Sequence, residues 1–113
     1  MGNFTSKHDE HWVKCLVDQG CDESLLLSYC IENEYFKAIE YLLDNGANPT
    51  LHLSRTTNIK IIKMLLGHGA DPNKIYIDDE CPVLLKHIYY KNFEIVKLLL
   101  EYGANPNVCT NNP

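Results

Sequence analysis

Four segments of the chain end in the same way, with an apolar run at helical spacing followed by a glycine. When the segments are aligned on that glycine, they share three apolar columns, and the spacing i, i+3, i+4 places these columns on one stripe of a helix. The columns are Val13, Ile39, Ile62 and Val96; Leu16, Leu42, Leu65 and Leu99; and Val17, Leu43, Leu66 and Leu100. A helix with one apolar stripe cannot bury it alone, so the copies must stack on one another.

The residues around each apolar run predict where the helices begin and end. Asn58 and Asn92 stand at N-cap positions, where a side-chain oxygen accepts a free backbone N–H of the first turn. A glycine after the last apolar position adopts the left-handed conformation that ends a helix without a Cβ clash. Proline follows three of the glycines and prevents the helix from resuming. The glycines are Gly20, Gly46, Gly69 and Gly103, and the prolines are Pro49, Pro72 and Pro106.

Two of these segments resemble a known repeat. Residues 58–73 and 92–107 are similar to the second helix and the following turn of the ankyrin repeat, and the resemblance extends over residues 7–113. In that family a repeat consists of a β-turn finger, a first helix, an antiparallel second helix and a loop. The resemblance therefore implies an all-α solenoid of antiparallel helix pairs with at most one or two short β-turn fingers. It also implies a protein that binds other proteins and has no catalytic residues.

The spacing of the glycines indicates which copies are complete. Successive glycines are 26, 23 and 34 residues apart, and only the last interval approximates the ankyrin period of about 33 residues. We therefore expect the finger to be missing from the first two intervals. The first has room for a helix with Ser24 as its cap and residues 25–31 as its body. In the second, residues 50–57 have room for one or two helical turns.

The third interval is complete. It places a finger at residues 74–81 and a first helix at roughly residues 83–90. Asn73 and Pro82 match the family pattern N-x-x-D-x-x-G-x-T-P, whereas Cys81 replaces its threonine. The binding surface of ankyrin proteins is formed by such fingers and by the inner faces of the first helices, so the resemblance directs attention to this interval.

The repeats suggest a division of the chain into a short tail and one domain. Solenoids need polar caps on their end repeats, and the last helix pair is followed by no polar helix. We expect either a shortened relative of a longer protein or an end that meets a partner. The predicted parts are a flexible tail at residues 1–6 and an ankyrin repeat domain at 7–113, with a partial repeat at 7–22, repeats at 23–49, 50–73 and 74–107, and then a truncated repeat start.

The composition of the 113 residues argues against several function classes. The formal net charge of −5 disfavours both nucleic-acid binding and a polybasic membrane-binding surface. The sequence has no phosphate-binding loop, no dinucleotide fingerprint and no hydrolase motif, so we predict a protein that is not an enzyme and uses no cofactor, metal or small-molecule substrate. There is no secretory signal and the five cysteines include no C-x-x-C pair. A reducing, cytoplasmic location with free thiols is the expectation.

The complete interval carries the predicted partner-binding residues. Its finger combines an aromatic side chain with three adjacent carboxylates. The helix behind it adds His87, Tyr89 and Tyr90, and two of these three could face the concave side. The predicted binding residues are Tyr76, Asp78, Asp79, Glu80, His87 and Tyr90. Tyrosine is frequent at binding hot spots, and the carboxylates favour a basic or mixed partner surface. An alternative is that Tyr76 and Tyr90 only pack against the neighbouring helix pair.

Two further features concern the setting in which the protein acts. The N-terminal sequence M-G-N-F-T-S-K fits the N-myristoylation pattern, with Gly2 as the acceptor. Such a chain would be a membrane-proximal adaptor, although Ser6 is equally suited to cap a helix. The short repeats, rich in Asn, Ile, Lys and Tyr, are similar to those of ankyrin proteins of large DNA viruses, poxviruses above all. That similarity implies a viral protein in the host cytoplasm whose partner is a host protein.

Overall fold

A computed structural model of the chain describes residues 11–75 and 81–109. These residues form six α-helices and two short 3₁₀ helices, and none of them lies in a β-strand. The helices are α1 (His11–Asp18), α2 (Glu23–Glu32), α3 (Phe36–Asp44), α4 (Ile59–Gly67), α5 (Val83–Tyr89) and α6 (Phe93–Glu101), and the 3₁₀ helices span Thr50–Arg55 and Pro106–Cys109. The all-α prediction is confirmed. Within the described residues, no helix is both long enough and apolar enough to span a membrane.

The four repeated glycines end their helices as predicted. All four have positive φ, at +90° for Gly20 and +96° to +97° for the other three. The residue after each glycine donates its backbone N–H to the carbonyl five residues earlier, at 3.0 Å in every copy. These bonds are Cys21 to Leu16, Ala47 to Leu42, Ala70 to Leu65 and Ala104 to Leu99. This is the Schellman arrangement, in which a left-handed residue lets the chain satisfy the last carbonyls of the helix.

The helix beginnings agree with the sequence analysis less closely. Asn58 caps α4 as predicted, since its side-chain oxygen accepts the backbone N–H groups of Lys60 and Ile61. For α2 the predicted cap was wrong: the cap is Asp22, whose carboxylate accepts the N–H of Ser24 at 2.9 Å. Asp22 is the residue that remains extended before the helix, and this conformation is what allows a side chain to reach the first turn.

Residues Met1–Asn48 form the first of two compact units. In it α2 packs against α3, and α1 ends in a short turn that leads directly into α2. No described residue between α1 and α2 is in a finger, as the spacing predicts. The largest fully buried side chains of this unit are Val13, Leu27, Cys30, Ile39 and Leu42. The N-terminal tail and Gly2 lie outside the described residues.

Residues Pro49–Pro113 form the second compact unit. The Thr50–Arg55 3₁₀ helix packs against α4, α5 packs against α6, and α4 contacts α6. The 3₁₀ helix supplies the one or two turns predicted for this interval, and α5 matches the predicted first helix to within one residue at its end. Its fully buried side chains include Ile61, Ile62, Leu65, His87 and Leu99.

The central apolar column is buried in three of its four copies. Leu42, Leu65 and Leu99 are each fully inaccessible to solvent, as predicted. The fourth copy, Leu16 in α1, departs from the pattern because it is 42% exposed. Leu100 of α6, which belongs to the third column, is also 42% exposed. A stripe is buried only where another element lies against it, so the same sequence pattern has different outcomes in different copies.

Candidate protein-binding surface

The two faces of α5 have opposite character. Pro82 precedes the helix in an extended conformation, which suits a residue that cannot donate a backbone N–H. From there Val83, Leu84 and His87 turn into the interior at helical spacing. Tyr89 is the last residue of α5 and Tyr90 is its C-cap, and both side chains are exposed instead of lying on this buried face.

Tyr89 and Tyr90 form an exposed aromatic pair at the end of α5. Their side chains are 78% and 62% exposed, and their ring centroids lie 5.1 Å apart in an edge-to-face arrangement. Edge-to-face packing is a favourable arrangement of two aromatic rings, and here it leaves most of both side chains exposed to solvent. Tyr90, which the sequence predicts to lie in the binding surface, is therefore accessible. Its neighbour Tyr89 is even more exposed.

His87 lies in the interior instead of on the surface. Its side chain is fully buried, and its Nδ1 accepts a hydrogen bond of 3.1 Å from the side-chain amide of Asn92. Burial, reinforced by the neighbouring Lys86, lowers the pKa of His87. The prediction that His87 contacts a partner is therefore corrected. The position of a histidine on a short helix does not by itself reveal which side another helix covers.

The hydrogen bond between the side chains of His87 and Asn92 also explains why Asn92 does not cap α6 with its side chain as predicted. Asn92 occupies the N-cap position of α6, but its side chain makes no capping bond to the first turn. Its amide is used by His87 instead, and its backbone N–H donates to the His87 carbonyl at 2.8 Å. Asn92 thus joins the end of α5 to the start of α6.

The predicted finger is only partly within the described chain. The candidate binding residues Tyr76, Asp78, Asp79 and Glu80 lie outside the described residues. On either side of them, Ile75 is 48% exposed and Cys81 is half-buried. The role of the finger remains a prediction, whereas the end of α5 is described directly.

The structure adds residues that the sequence analysis missed. The Lys86 ammonium donates a hydrogen bond of 2.6 Å to the Ser54 carbonyl, which ties α5 to the preceding 3₁₀ helix. Phe93, the first residue of α6, is 63% exposed. It lines an open cleft of about 310 Å³ together with Thr57, Ile59, Lys91, Asn92, Glu94 and Ile95. Phe93 lies outside the three apolar columns of the sequence, and this position could have indicated that its side chain is exposed.

Among the described residues, no group of three or more His, Cys, Asp or Glu side chains is arranged to hold a metal ion, and the free cysteines differ in exposure. Burial raises the pKa of the Cys30 thiol to about 12, so it remains protonated. Cys15 is exposed, with its sulfur 3.7 Å from Nε2 of His11.

One comparison with known proteins connects this geometry to a family. Residues 86–111, from the middle of α5 to just beyond the last 3₁₀ helix, match the family model of the ankyrin repeat. Comparison with curated proteins and with solved structures gives no match. The ankyrin repeat is a protein–protein interaction module and is generally non-catalytic. The matched segment, which contains α6 and the Pro106–Cys109 3₁₀ helix, is therefore similar to an ankyrin repeat.

Proposed function

We propose that this protein binds another protein through the aromatic end of α5 and the acidic finger that precedes it. The observation that carries the proposal is the exposure of Tyr89 and Tyr90, which present two large amphipathic rings at the surface of the matched repeat. Tyrosine contributes much contact area and loses little conformational entropy on binding. The proposed surface consists of Tyr76, Asp78, Asp79, Glu80, Tyr89 and Tyr90.

The charge of the finger defines the kind of partner. Three adjacent carboxylates close in sequence to an aromatic residue favour a basic or mixed partner surface, and such an interaction weakens as salt screens the charges. The proposed setting is the cytoplasm. If the chain is a viral protein, as the similarity of its repeats to those of large DNA viruses suggests, the partner is a host protein.

The test compares partner recovery between matched variants. Tyr90→Ala and a triple Asp78/Asp79/Glu80→Ser variant should each fold, by circular dichroism, and should each recover less of any protein that the parent captures. The control is Tyr102→Ala, because Tyr102 is 43% exposed in the same unit but lies at the end of α6. If both variants fold and recover the partner at the level of the control, the binding surface lies elsewhere.

A membrane-proximal adaptor is the second candidate, favoured by the myristoylation pattern at Gly2. One myristoyl chain supplies only reversible membrane binding, so such a protein would cycle between membrane and solution. Intact-mass measurement after expression in eukaryotic cells tests this directly. The mass of one myristoyl group should be added to the parent chain and absent from Gly2→Ala. An unmodified parent chain would eliminate the candidate.

A further inference from the structure

Helix α2 carries apolar side chains on two opposite faces. One face is buried against the rest of its unit and consists of Leu26, Leu27, Cys30 and Ile31. On another face Leu25 is 71% exposed and Tyr29 is 52% exposed. These two residues are four positions apart, so their side chains are neighbours along the helix surface. A helix that is apolar on two faces is normally covered on both of them.

The exposed face of α2 continues into a row of aromatic rings. Tyr29 lies edge-to-face with Tyr35 at a centroid distance of 6.0 Å, and Tyr35 lies edge-to-face with Trp12 of α1 at 5.6 Å. Trp12 and Tyr35 are each half-buried. We call Leu25, Tyr29, Tyr35 and Trp12 the α2 strip. Leu25 and Tyr29 form its exposed end, and Tyr35 and Trp12 form its half-buried end. Surfaces that bind an apolar side chain of a partner commonly combine exposed and packed apolar residues in this way.

The unit that carries the α2 strip is strongly acidic. Residues 11–48 contain two lysines and seven acidic side chains, whereas residues 49–113 contain seven basic and six acidic ones. Two of the acidic residues stand at the ends of the strip's exposed part: Asp22 lies three positions before Leu25, and Glu32 lies three positions after Tyr29. Asp22 and Glu32 are both exposed. The apolar pair is therefore placed between carboxylates.

We propose that the α2 strip binds a basic amphipathic segment of a partner protein. The apolar side of such a segment covers Leu25 and Tyr29, and its lysine or arginine side chains meet the carboxylates around them. The same carboxylates repel nucleic-acid phosphates and anionic lipid headgroups, which favours a polypeptide as the occupant. The strip belongs to the Met1–Asn48 unit, so this proposal is independent of the tyrosine surface at the end of α5.

Trp12 provides a direct readout, because it is the single tryptophan of the chain and is in contact with Tyr35 in the strip. The full chain is titrated with a synthetic lysine–leucine peptide that has leucine at the i, i+3, i+4 and i+7 positions. Calorimetry runs in parallel with Trp12 fluorescence. We expect one-to-one binding, a change in Trp12 emission and an affinity that falls as salt rises. The same peptide with glutamate in place of lysine should not bind.

Matched variants locate the binding. Leu25→Ser combined with Tyr29→Ser should weaken binding by about tenfold or more, corresponding to about 1.4 kcal/mol. The control is Leu100→Ser combined with Tyr102→Ser, which removes the same side chains at 42% and 43% exposure in the other unit and should bind as the parent does. Circular dichroism checks that both double variants fold.

Five outcomes overturn the proposal. Four concern the peptide: equal binding of the lysine and glutamate peptides, unchanged affinity in the folded Leu25/Tyr29 variant, calorimetric binding without any change in Trp12 emission, and no binding at all. Sedimentation of the parent and the Leu25/Tyr29 variant without peptide tests whether a second copy of the chain occupies the strip. If the parent self-associates and the variant does not, the strip is an interface between copies of the chain, and the peptide proposal fails.

Discussion

The side chain of Asn73 holds the backbone of Asn105 in the loop that follows α6. Its oxygen accepts the Asn105 backbone N–H at 2.7 Å, and its amide donates to the Gly103 carbonyl at 3.0 Å. One side chain from the loop after α4 thus satisfies two backbone groups at the end of the next repeat. The side chain of Asn73 thereby links the loop after α4 to the loop after α6 within the second unit.

Replacement of Asn73 should weaken the second unit measurably. Asn73→Ala removes two hydrogen bonds, each with a net contribution of about 0.5–1.5 kcal/mol, so we expect a loss of about 1–3 kcal/mol in the free energy of unfolding. Asn73→Asp keeps an acceptor for Asn105 but sets a carboxylate oxygen against the Gly103 carbonyl, so it should also be less stable than the parent. Urea denaturation followed by circular dichroism measures both. Two variants as stable as the parent would mean that these bonds contribute nothing.

The buried central column should be sensitive to truncation. Leu65 is fully buried in α4, and Leu65→Ala should cost about 2–5 kcal/mol because it leaves a cavity between packed helices. The matched control is Leu100→Ala, in which the same side chain is removed from a 42% exposed position of α6. Thermal melts of the two variants provide the comparison. A Leu65→Ala protein that melts with the control would contradict the predicted register of the repeats.

Two neighbouring glycines offer a comparison of backbone conformation alone. Gly69 has φ of +96° whereas Gly67 is the last residue of α4, and a Cβ at either position has no atom within 4 Å. Gly69→Ala should therefore destabilise by about 1–2 kcal/mol through its left-handed backbone. Gly67→Ala should stabilise by up to about 1 kcal/mol, because alanine favours the helix. Equal melting temperatures for the two variants would rule out the proposed role of the left-handed turn.

Stability should fall in mildly acidic solution because two histidines are buried. Neither ring nitrogen of His52 has a hydrogen-bond partner among the described residues, and the same holds for Nε2 of His87. Burial lowers the pKa of both, with Arg55 adding to the effect at His52 and Lys86 at His87. Below the usual value of 6.5, the unfolded chain therefore binds protons that the folded chain does not.

The expected pH profile is flat above about pH 6.5 and declines below it, until the lower pKa of the folded state is reached. Each histidine contributes a slope of at most about 1.4 kcal/mol per pH unit. Urea denaturation between pH 7.5 and about 5 measures the slope, and His52→Leu should make it shallower. A parent chain whose stability is constant over this range would show that the two histidines protonate equally well when folded.

The helix endings were predictable because they depend on neighbours in sequence. Each of the four repeated glycines follows its apolar run at the position that a left-handed residue must occupy, and all four have positive φ. The cap at Asn58 and the short helical turns after Pro49 were predictable for the same reason, because they too depend on residues nearby in sequence. Even so, Asp22 rather than Ser24 caps α2, which shows that two candidate caps only two positions apart cannot be distinguished by spacing alone.

The candidate binding residues were harder to predict, because exposure depends on what lies opposite. Tyr90 and His87 are three positions apart on or next to one short helix, yet Tyr90 is exposed and His87 is fully buried. The side chain of Asn92, suited to cap α6, is bound to His87 instead. Neither outcome follows from periodicity, since both are decided by how α5 meets α6.

The sequence by itself determined which segments are helical, where four of the helices stop and that their apolar stripes must be covered. These properties depend on backbone conformation and on side chains three or four positions apart, which the residue order specifies. Only the tertiary structure decided that Leu65 is buried while Leu16 is not, and that Leu25 and Tyr29 of α2 remain open to solvent. Burial is a property of two surfaces in contact, and one segment of sequence describes only one of them.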